Sequence, residues 1–158
     1  MTTSTPSAEA VLAVFAAVEQ RDEEAFARAC QPDVEFCWPP SLPYGGTARG
    51  LAGRGGGWAA YWDWLQPTAA LRRLDPRVAA AAGPQVAVLW RQRGLTPAGE
   101  SLDTEVLGLY EVREGKLARA QMFYFDPAAV SAFLARASRA APARGTPARE
   151  QVTTGHTA

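Results

Sequence analysis

The chain has 158 residues, of which 47% are hydrophobic, so it is long enough to fold as one domain around one core. It carries 16 basic and 16 acidic residues, and the absence of net charge argues against nucleic acid as a partner. Its longest apolar stretches are broken within about ten residues by Arg, Gly or Pro, well short of the roughly 20 that a membrane span needs.

The first residues bear on the cellular location of the protein, and the two cysteines bear on whether it holds a disulfide or a metal. Residues 1–7 are polar and lack the basic-then-apolar order of a secretion signal, so we expect a cytoplasmic protein. Cys30 and Cys37 fall at a predicted helix end and inside a predicted strand, where neither a disulfide framework nor a metal site is favoured. We therefore expect no cofactor and no metal.

Two helices and a strand are predicted at the start of the chain. Residues 7–20 carry apolar side chains at helical spacing behind Ser7, a suitable N-cap. A second, short helix begins after the capping residue Asp22 and ends at Pro32. Residues 33–38 then alternate between polar and apolar side chains, as a half-buried strand does.

A glycine-rich segment and an aromatic helix follow. Residues 41–57 combine Pro43 with many glycines, which predicts a loop. The glycines at its end are too irregular for a phosphate-binding loop, and we interpret them as a flexible lid. Residues 58–65 predict a short aromatic helix that Pro67 closes.

The second half of the chain predicts an antiparallel meander of four strands. The breaks between the strands contain Gly83-Pro84, Thr96-Pro97-Ala98-Gly99 and Glu114-Gly115, all typical turn sequences. The predicted strands are residues 69–82, 85–95, 101–113 and 116–125.

A last helix and a tail complete the chain. Asp126 followed by Pro127 is typical of a helix start, with a capping carboxylate and proline in the first turn. Residues 140–158 lack an apolar period, which predicts a disordered tail and leaves residues 1–139 as the single domain. The order of elements predicts an α+β fold whose helices cover one concave sheet face, with an apolar pocket for a hydrophobic small molecule.

Five stretches carry a resemblance to a known family: residues 25–34, the loop 42–50, the strand 106–110, Glu114-Gly115-Lys116 and Phe123-Tyr124-Phe125-Asp126. In these the chain resembles the nuclear transport factor 2-like superfamily, which includes ketosteroid isomerase, limonene epoxide hydrolase and SnoaL-type polyketide cyclases. The resemblance covers roughly residues 8 to 137. It implies a cone-shaped, curved antiparallel sheet wrapped around helices, the cystatin-like α+β barrel.

The resemblance also implies which residues face the pocket. The inward strand positions have period two, as a strand with one face toward a cavity requires. Aromatic side chains there would stack on a conjugated ligand. The expected substrate-binding residues are Phe36, Trp38, Trp58, Trp62, Val88, Trp90, Thr104, Val106 and Met122, and the further inward positions are Gln92, Gly108, Tyr110, Ala120 and Tyr124.

The catalytic groups of the two best-known relatives are missing. The base, the tyrosine and the second aspartate of ketosteroid isomerase align with Trp38, Val14 and Gly108. The Arg and Asp pair of the epoxide hydrolase aligns with Val88 and Trp90, and its further Asp with Met122 or Phe123. Neither mechanism is therefore supported.

Few acid/base groups remain for a reaction. The single histidine, His156, lies in the predicted tail, which excludes it from the pocket. Strand parity places Glu35, Asp103 and Glu105 on the outer face, although one β-bulge would reverse this. The candidate catalytic residues are Tyr44, Tyr110 and Tyr124, and proton transfer could also involve Tyr61, Asp63 or the three outer carboxylates.

Four functions stay open at this point. The first is a SnoaL-like enzyme of secondary metabolism that cyclises or isomerises a hydrophobic polyketide-like molecule. The second is a non-catalytic carrier or sensor of an apolar small molecule. The third is a structural dimer module, and the fourth is an epoxide hydrolase-like or dehydratase-like enzyme. We expect a homodimer, and the resemblance implies that the outer sheet face is where a partner would pair.

Overall fold

The computed structural model describes residues 4–51 and 57–140. Residues 53–56 of the predicted lid and residues 141–158 of the predicted tail lie outside the described residues. The described part has an α+β fold of three helices and one curved six-stranded sheet, which confirms the predicted fold class. None of the described helices is long and apolar enough to cross a membrane.

Two helices, α1 (Pro6–Gln20) and α2 (Glu23–Ala29), begin at side-chain caps. The cap of α1 is Thr5 and not the predicted Ser7, because the Thr5 hydroxyl accepts the Ala8 N–H at 3.2 Å. Pro6 occupies the first helical position, where its missing N–H costs nothing. Asp22 caps α2 as predicted and accepts the Ala25 N–H at 2.9 Å.

The first part of the sheet differs from the prediction in where β1 begins and in the presence of a further strand. Strand β1 (Cys30–Trp38) begins at Cys30, so Pro32 lies inside the strand and does not end the helix. Its side-chain alternation becomes regular only after Pro32, which hid the strand start. A short edge strand, β2 (Gly46–Arg49), pairs antiparallel with β1 inside the segment predicted to be a loop.

The antiparallel meander is confirmed, with strands β3 (Arg77–Ala82), β4 (Gln85–Leu95), β5 (Ser101–Arg113) and β6 (Lys116–Tyr124). The predicted strand start at residue 69 is wrong. The backbone N–H of Leu74 donates to a carboxylate oxygen of Glu19 at 2.8 Å, and Asp75 has a φ of 47°. Leu74 is therefore tied to α1, and although its backbone oxygen accepts the Arg91 N–H of β4 at 2.8 Å, the regular pairing of β3 with β4 starts at residue 77.

The sheet has the order β2-β1-β6-β5-β4-β3. It is not antiparallel throughout, because β1 and β6 run parallel at its centre. This pair joins the start of the chain to the end of the meander, and no periodicity within either strand signals the direction of pairing. The parallel contact places Phe36 opposite Ala120, and both line the cavity described below.

The aromatic helix is shorter than predicted, and the last helix is as predicted. A 3₁₀ turn covers Trp58–Tyr61, and Leu65 then forms an isolated bridge with Gly94 of β4. Helix α3 (Pro127–Ala140) begins after Asp126, whose carboxylate accepts the Ala129 N–H at 3.0 Å.

Candidate functional site

A cavity of about 340 Å³ lies between the concave face of the sheet and the two N-terminal helices. This volume is within the range of small-molecule sites. Helix α1 contributes Val14, Phe15 and Val18, and the segment after the loop contributes Trp58 and Trp62. The sheet contributes Phe36, Trp38, Trp90, Tyr110, Ala120 and Met122.

The aromatic residues of the cavity wall contact one another, mostly edge to face. Trp58 lies at the centre of this wall, with ring centroids 5.4 Å from Trp38, 5.6 Å from Trp62 and 6.0 Å from Trp90. Phe15 adds an edge contact to Trp90 at 6.2 Å. Because each ring is held by its neighbours, the wall offers a preorganised aromatic surface to a flat ligand.

Three of the four wall indoles have no acceptor for their N–H. The Nε1 atoms of Trp38, Trp62 and Trp90 are buried and make no hydrogen bond of good geometry among the described residues, although the Trp90 indole lies close enough to the Tyr110 hydroxyl to oppose the rise in its pKa. Trp58 differs, because its Nε1 donates to the side-chain oxygen of Gln92 at 3.0 Å. Buried indole N–H groups usually find a partner, so three unpartnered donors around one cavity suit a ligand that carries acceptor oxygens.

Tyr44 and Tyr124 lie behind the aromatic wall and do not line the cavity. Their hydroxyls are 2.8 Å apart, and the Tyr124 hydroxyl donates to Gln92 Oε1 at 3.5 Å. Tyr44, a candidate catalytic residue, is only 4% exposed and packs edge-on against Trp38 at 5.3 Å. Burial raises the pKa of both tyrosines above the ordinary value of 10.0, so both stay protonated at neutral pH.

Tyr110 is the candidate catalytic tyrosine that lines the cavity itself. Its ring folds over Gly108, its neighbour two residues back on the same strand face, where a Cβ would collide with the Tyr110 ring and hydroxyl. Burial raises the pKa of Tyr110, which favours the neutral phenol. At neutral pH this group can donate a hydrogen bond, but it is a poor base.

The remaining predicted lining residues divide into two groups. Phe36 and Met122 line the cavity, as do the four tryptophans. Val88, Thr104 and Val106 do not. Val88 and Val106 have the predicted inward parity, but both are fully buried in the core, where they support the wall rather than form its surface.

The outer face of the sheet carries the carboxylates that parity predicted to lie there. Glu35 pairs with Arg49 and, at 3.6 Å, with Arg119. Asp103 pairs with Arg91 at 2.7 Å, and Glu105 pairs with Arg77 at 3.3 Å. Asp63 is exposed. Within residues 4–51 and 57–140, no group of His, Cys, Asp and Glu has the arrangement of a metal site.

Arg21, which the sequence patterns do not single out, lines the cavity where α1 ends. Its guanidinium carbon lies 3.5 Å from the centroid of the Trp62 ring, and its Nη2 donates to the backbone oxygen of Gln66 at 3.1 Å. Burial and the nearby Arg72 lower the pKa of Arg21 to about 10. In the sequence, Arg21 resembles an ordinary surface cation between two helices, and only the fold brings Trp62 over it.

Comparison with known proteins identifies a family and a fold. The family model of the SnoaL-like domain matches residues 11–120. No curated protein matches the chain. Among solved structures, that of TerC co-crystallised with polyporic acid is 26% identical, with 82% of this chain and 99% of that chain covered and a TM-score of 0.69.

Two further structures show the same fold at lower identity. An NTF2-like protein of unknown function from Burkholderia pseudomallei is 19% identical, with 84% of this chain and 97% of that chain covered and a TM-score of 0.67. A candidate SnoaL-like polyketide cyclase from Jannaschia sp. CCS1 is 17% identical, with coverages of 90% and 97% and a TM-score of 0.62. At these identities the likeness concerns the fold alone.

Proposed function

The chain belongs to the SnoaL-like domain family, and on this basis we propose that it is an enzyme of secondary metabolism acting on a hydrophobic polyketide-like molecule. The reaction we propose is ring closure or isomerisation of the substrate inside the aromatic cavity, without a cofactor. The observation that carries this proposal is the cavity of about 340 Å³ walled by Trp38, Trp58, Trp62 and Trp90.

The polar groups of the wall favour a substrate with several carbonyl oxygens. Trp38, Trp62 and Trp90 each have a buried N–H without an acceptor among the described residues, and Tyr110 adds a protonated hydroxyl to the lining residues. All four groups are hydrogen-bond donors, whereas a substrate without acceptors would leave them unpaired at a cost in affinity. Polyketide-like chains carry such acceptors at regular intervals.

Catalysis would depend on orientation and on polarisation of a carbonyl group. Holding a flexible chain in a folded, near-attack conformation lowers the entropic part of a cyclisation barrier by several kcal/mol. In ring closure the enol carbon of the substrate would attack a carbonyl carbon, and the enol proton would pass to the oxygen of that carbonyl as its π bond breaks. A hydrogen bond from Tyr110 to this oxygen would stabilise the negative charge that develops there. Tyr44 and Tyr124 would act through their hydrogen bond, which fixes the rings against which Trp38 packs.

The comparison with TerC supports a small-molecule ligand. TerC is 26% identical to this chain and was co-crystallised with polyporic acid. The cavity itself counts against a purely structural dimer module, for which no ligand-sized hollow is needed. A non-catalytic carrier is the second candidate, and the unpaired donors of the wall residues favour an enzyme over it, because a carrier of an apolar molecule needs no polar group in its wall.

Metabolites of a deletion strain test the enzymatic activity. We expect the strain to accumulate an open-chain or unisomerised precursor that the purified protein converts, with mass spectrometry following the conversion. Variants Trp90→Phe and Tyr110→Phe should slow this turnover. Trp64→Phe is the matched control, because Trp64 does not line the cavity. A strain with unchanged metabolites, or purified protein that binds the precursor without converting it, would favour the carrier.

A further inference from the structure

Among the described residues that line the cavity, Arg21 is the one with a basic side chain. It lies at the end of the cavity that opens to solvent. Asp22 and Glu23, which line the same end, are exposed, whereas Trp38, Trp90 and Tyr110 are buried at the other end. The cavity is therefore polarised, with a closed aromatic end and an open end beside a guanidinium group. We propose that this open end binds an anionic oxygen of the ligand, a carboxylate or an enolate, through Arg21.

The donors of Arg21 are largely unused. A guanidinium has five N–H donors, and the hydrogen bond that Arg21 makes in the described structure runs from Nη2 to the Gln66 backbone oxygen at 3.1 Å. Its Nη1 is buried without an acceptor. A bound anion would provide acceptors for the donors that remain on Nε and Nη2, and Arg is well suited to a planar carboxylate or enolate.

The charge of Arg21 is also uncompensated. Within residues 4–51 and 57–140, no carboxylate lies at ion-pair distance from it, and Asp22 instead caps α2 through its bond to Ala25. The charged neighbour that lowers the pKa of Arg21 is a second cation, Arg72, whose buried Nε also has no partner. An anionic ligand at Arg21 would relieve the repulsion between these two cations, provided that it binds away from the carboxylates of Asp22 and Glu23 at the same end.

Trp62 holds Arg21 in place for this role. The guanidinium carbon stacks 3.5 Å from the Trp62 ring centroid, and Trp62 itself packs on Trp58 in the aromatic wall at 5.6 Å. A ligand that stacks on the aromatic wall would thus bring its substituents to Arg21. This inference rests on the proposed function and narrows it, because the substrate must be a conjugated molecule with an acidic group at one end.

Two small ligands that share the same ring system test the inference separately from the proposed function. Naphthoate and naphthamide have the same aromatic surface, and only the first is an anion at neutral pH. Quenching of tryptophan fluorescence gives both affinities. We expect the protein to bind naphthoate about tenfold more tightly, because hydrogen bonds to a charged group are stronger than neutral ones. Equal affinity for the two probes would overturn the role of Arg21 but not the aromatic site, whereas binding of neither probe would overturn both proposals.

Variants then assign the preference to one residue. Arg21→Gln should remove the preference for naphthoate and leave naphthamide binding unchanged. Arg28→Gln is the matched control, since it removes one positive charge from the exposed surface of α2, where Arg28 pairs with Glu24 at 3.7 Å. A preference that survives Arg21→Gln, or that Arg28→Gln also removes, would contradict the proposal.

Arg21→Lys tests whether the effect of Arg21→Gln comes from a change in the fold. Arg21→Lys keeps the positive charge and loses the planar fork, so we expect a reduced but measurable preference for naphthoate. Thermal unfolding of each variant shows whether the fold persists. If both Arg21 variants lose affinity for the two probes equally, the residue only supports Trp62, and the proposal is wrong.

Discussion

The hydroxyl oxygens of Tyr44 and Tyr124 lie 2.8 Å apart, although 80 positions separate the two residues in the chain. Their environments are unequal. Tyr124 has a second partner, because its hydroxyl lies 3.5 Å from Gln92 Oε1, whereas Tyr124 is the one hydrogen-bond partner of the Tyr44 hydroxyl within the described structure. Gln92 in turn accepts from Trp58, so this polar cluster connects the rear of the aromatic wall to its centre.

This inequality predicts different costs for two similar substitutions. Tyr44→Phe leaves Tyr124 with Gln92 as a partner, and we expect a loss of about 0.5–1.5 kcal/mol in the free energy of unfolding. Tyr124→Phe leaves the Tyr44 hydroxyl buried without a partner, and we expect about 1–3 kcal/mol. Urea unfolding measures both values.

The double variant Tyr44→Phe/Tyr124→Phe completes the cycle. It removes both hydroxyls and leaves neither one unpaired, so its cost should be smaller than the sum of the two single costs. Additive costs would mean that the hydroxyls do not interact in the folded protein. A larger cost for Tyr44→Phe than for Tyr124→Phe would contradict the predicted inequality.

Gly108→Ala should distort the cavity wall at Tyr110. A Cβ at position 108 would collide with the ring and hydroxyl of Tyr110 on the same strand. We expect a loss of about 1–3 kcal/mol from overpacking, together with weaker ligand binding as the tyrosine moves. The matched test is Gly108→Ala in a Tyr110→Leu background, where the smaller side chain removes the collision. The same loss in both backgrounds would show that Tyr110 is not the obstacle.

Much of the fold could be predicted because local sequence signals and tertiary structure agree there. The turns at Gly83-Pro84 and Glu114-Gly115 separate strands of regular alternation, and β4 and β5 have the predicted bounds. Prediction failed where a distant contact decides the structure. Strand β2 forms only because the edge of β1 is available to it, and the parallel pairing of β1 with β6 has no local signature.

In the candidate site, too, local patterns predicted some residues, and distant contacts decided the position of others. Strand parity correctly placed Trp38, Trp90 and Tyr110 on the concave face, because a period of two depends on the strand alone. It could not show that Tyr44 packs behind the wall, since a loop residue has no periodicity. Arg21 escaped prediction for a related reason: its surroundings come from Trp62 and Gln66, which follow it by more than 40 residues.

Gln66→Met should stabilise the protein. Gln66 is only 1% exposed, and both polar atoms of its side-chain amide lack a hydrogen-bond partner among the described residues. Replacing an unpartnered amide with an apolar side chain of similar size removes its desolvation cost, about 1–3 kcal/mol. Thermal unfolding should therefore show a higher Tm for this variant.

Gln92 provides the matched control for this prediction. It is also fully buried, but its Oε1 accepts hydrogen bonds from Trp58 at 3.0 Å and from Tyr124. Gln92→Met removes the acceptor from these buried donors and should lower the Tm. If both methionine variants are destabilised alike, Gln66 has a partner in solution, and our interpretation of it is wrong.

The stability of the protein should fall at alkaline pH. Burial raises the pKa of the Cys30 thiol from its ordinary value of 9.0 to about 12. It also raises the pKa of Tyr44, Tyr110 and Tyr124 above the ordinary 10.0. Below pH 9 these four groups are protonated in both the folded and the unfolded chain. They therefore contribute no pH dependence there.

Above pH 9 the unfolded chain releases protons that the folded chain retains, first from Cys30 and then from the three tyrosines. Because the unfolded state then binds fewer protons, the free energy of unfolding decreases as the pH rises, and the thiol contribution is lost by about pH 12. Arg21 has the opposite effect above about pH 10, since its pKa is lowered in the folded state, but it is one group against four. The urea midpoint should therefore be lower at about pH 10.5 than at about pH 8, and Arg21→Gln should make this difference larger. Tyrosinate absorbance provides the direct check: if all 4 tyrosines titrate near pH 10 while the protein is still folded, these hydroxyls are not buried as described.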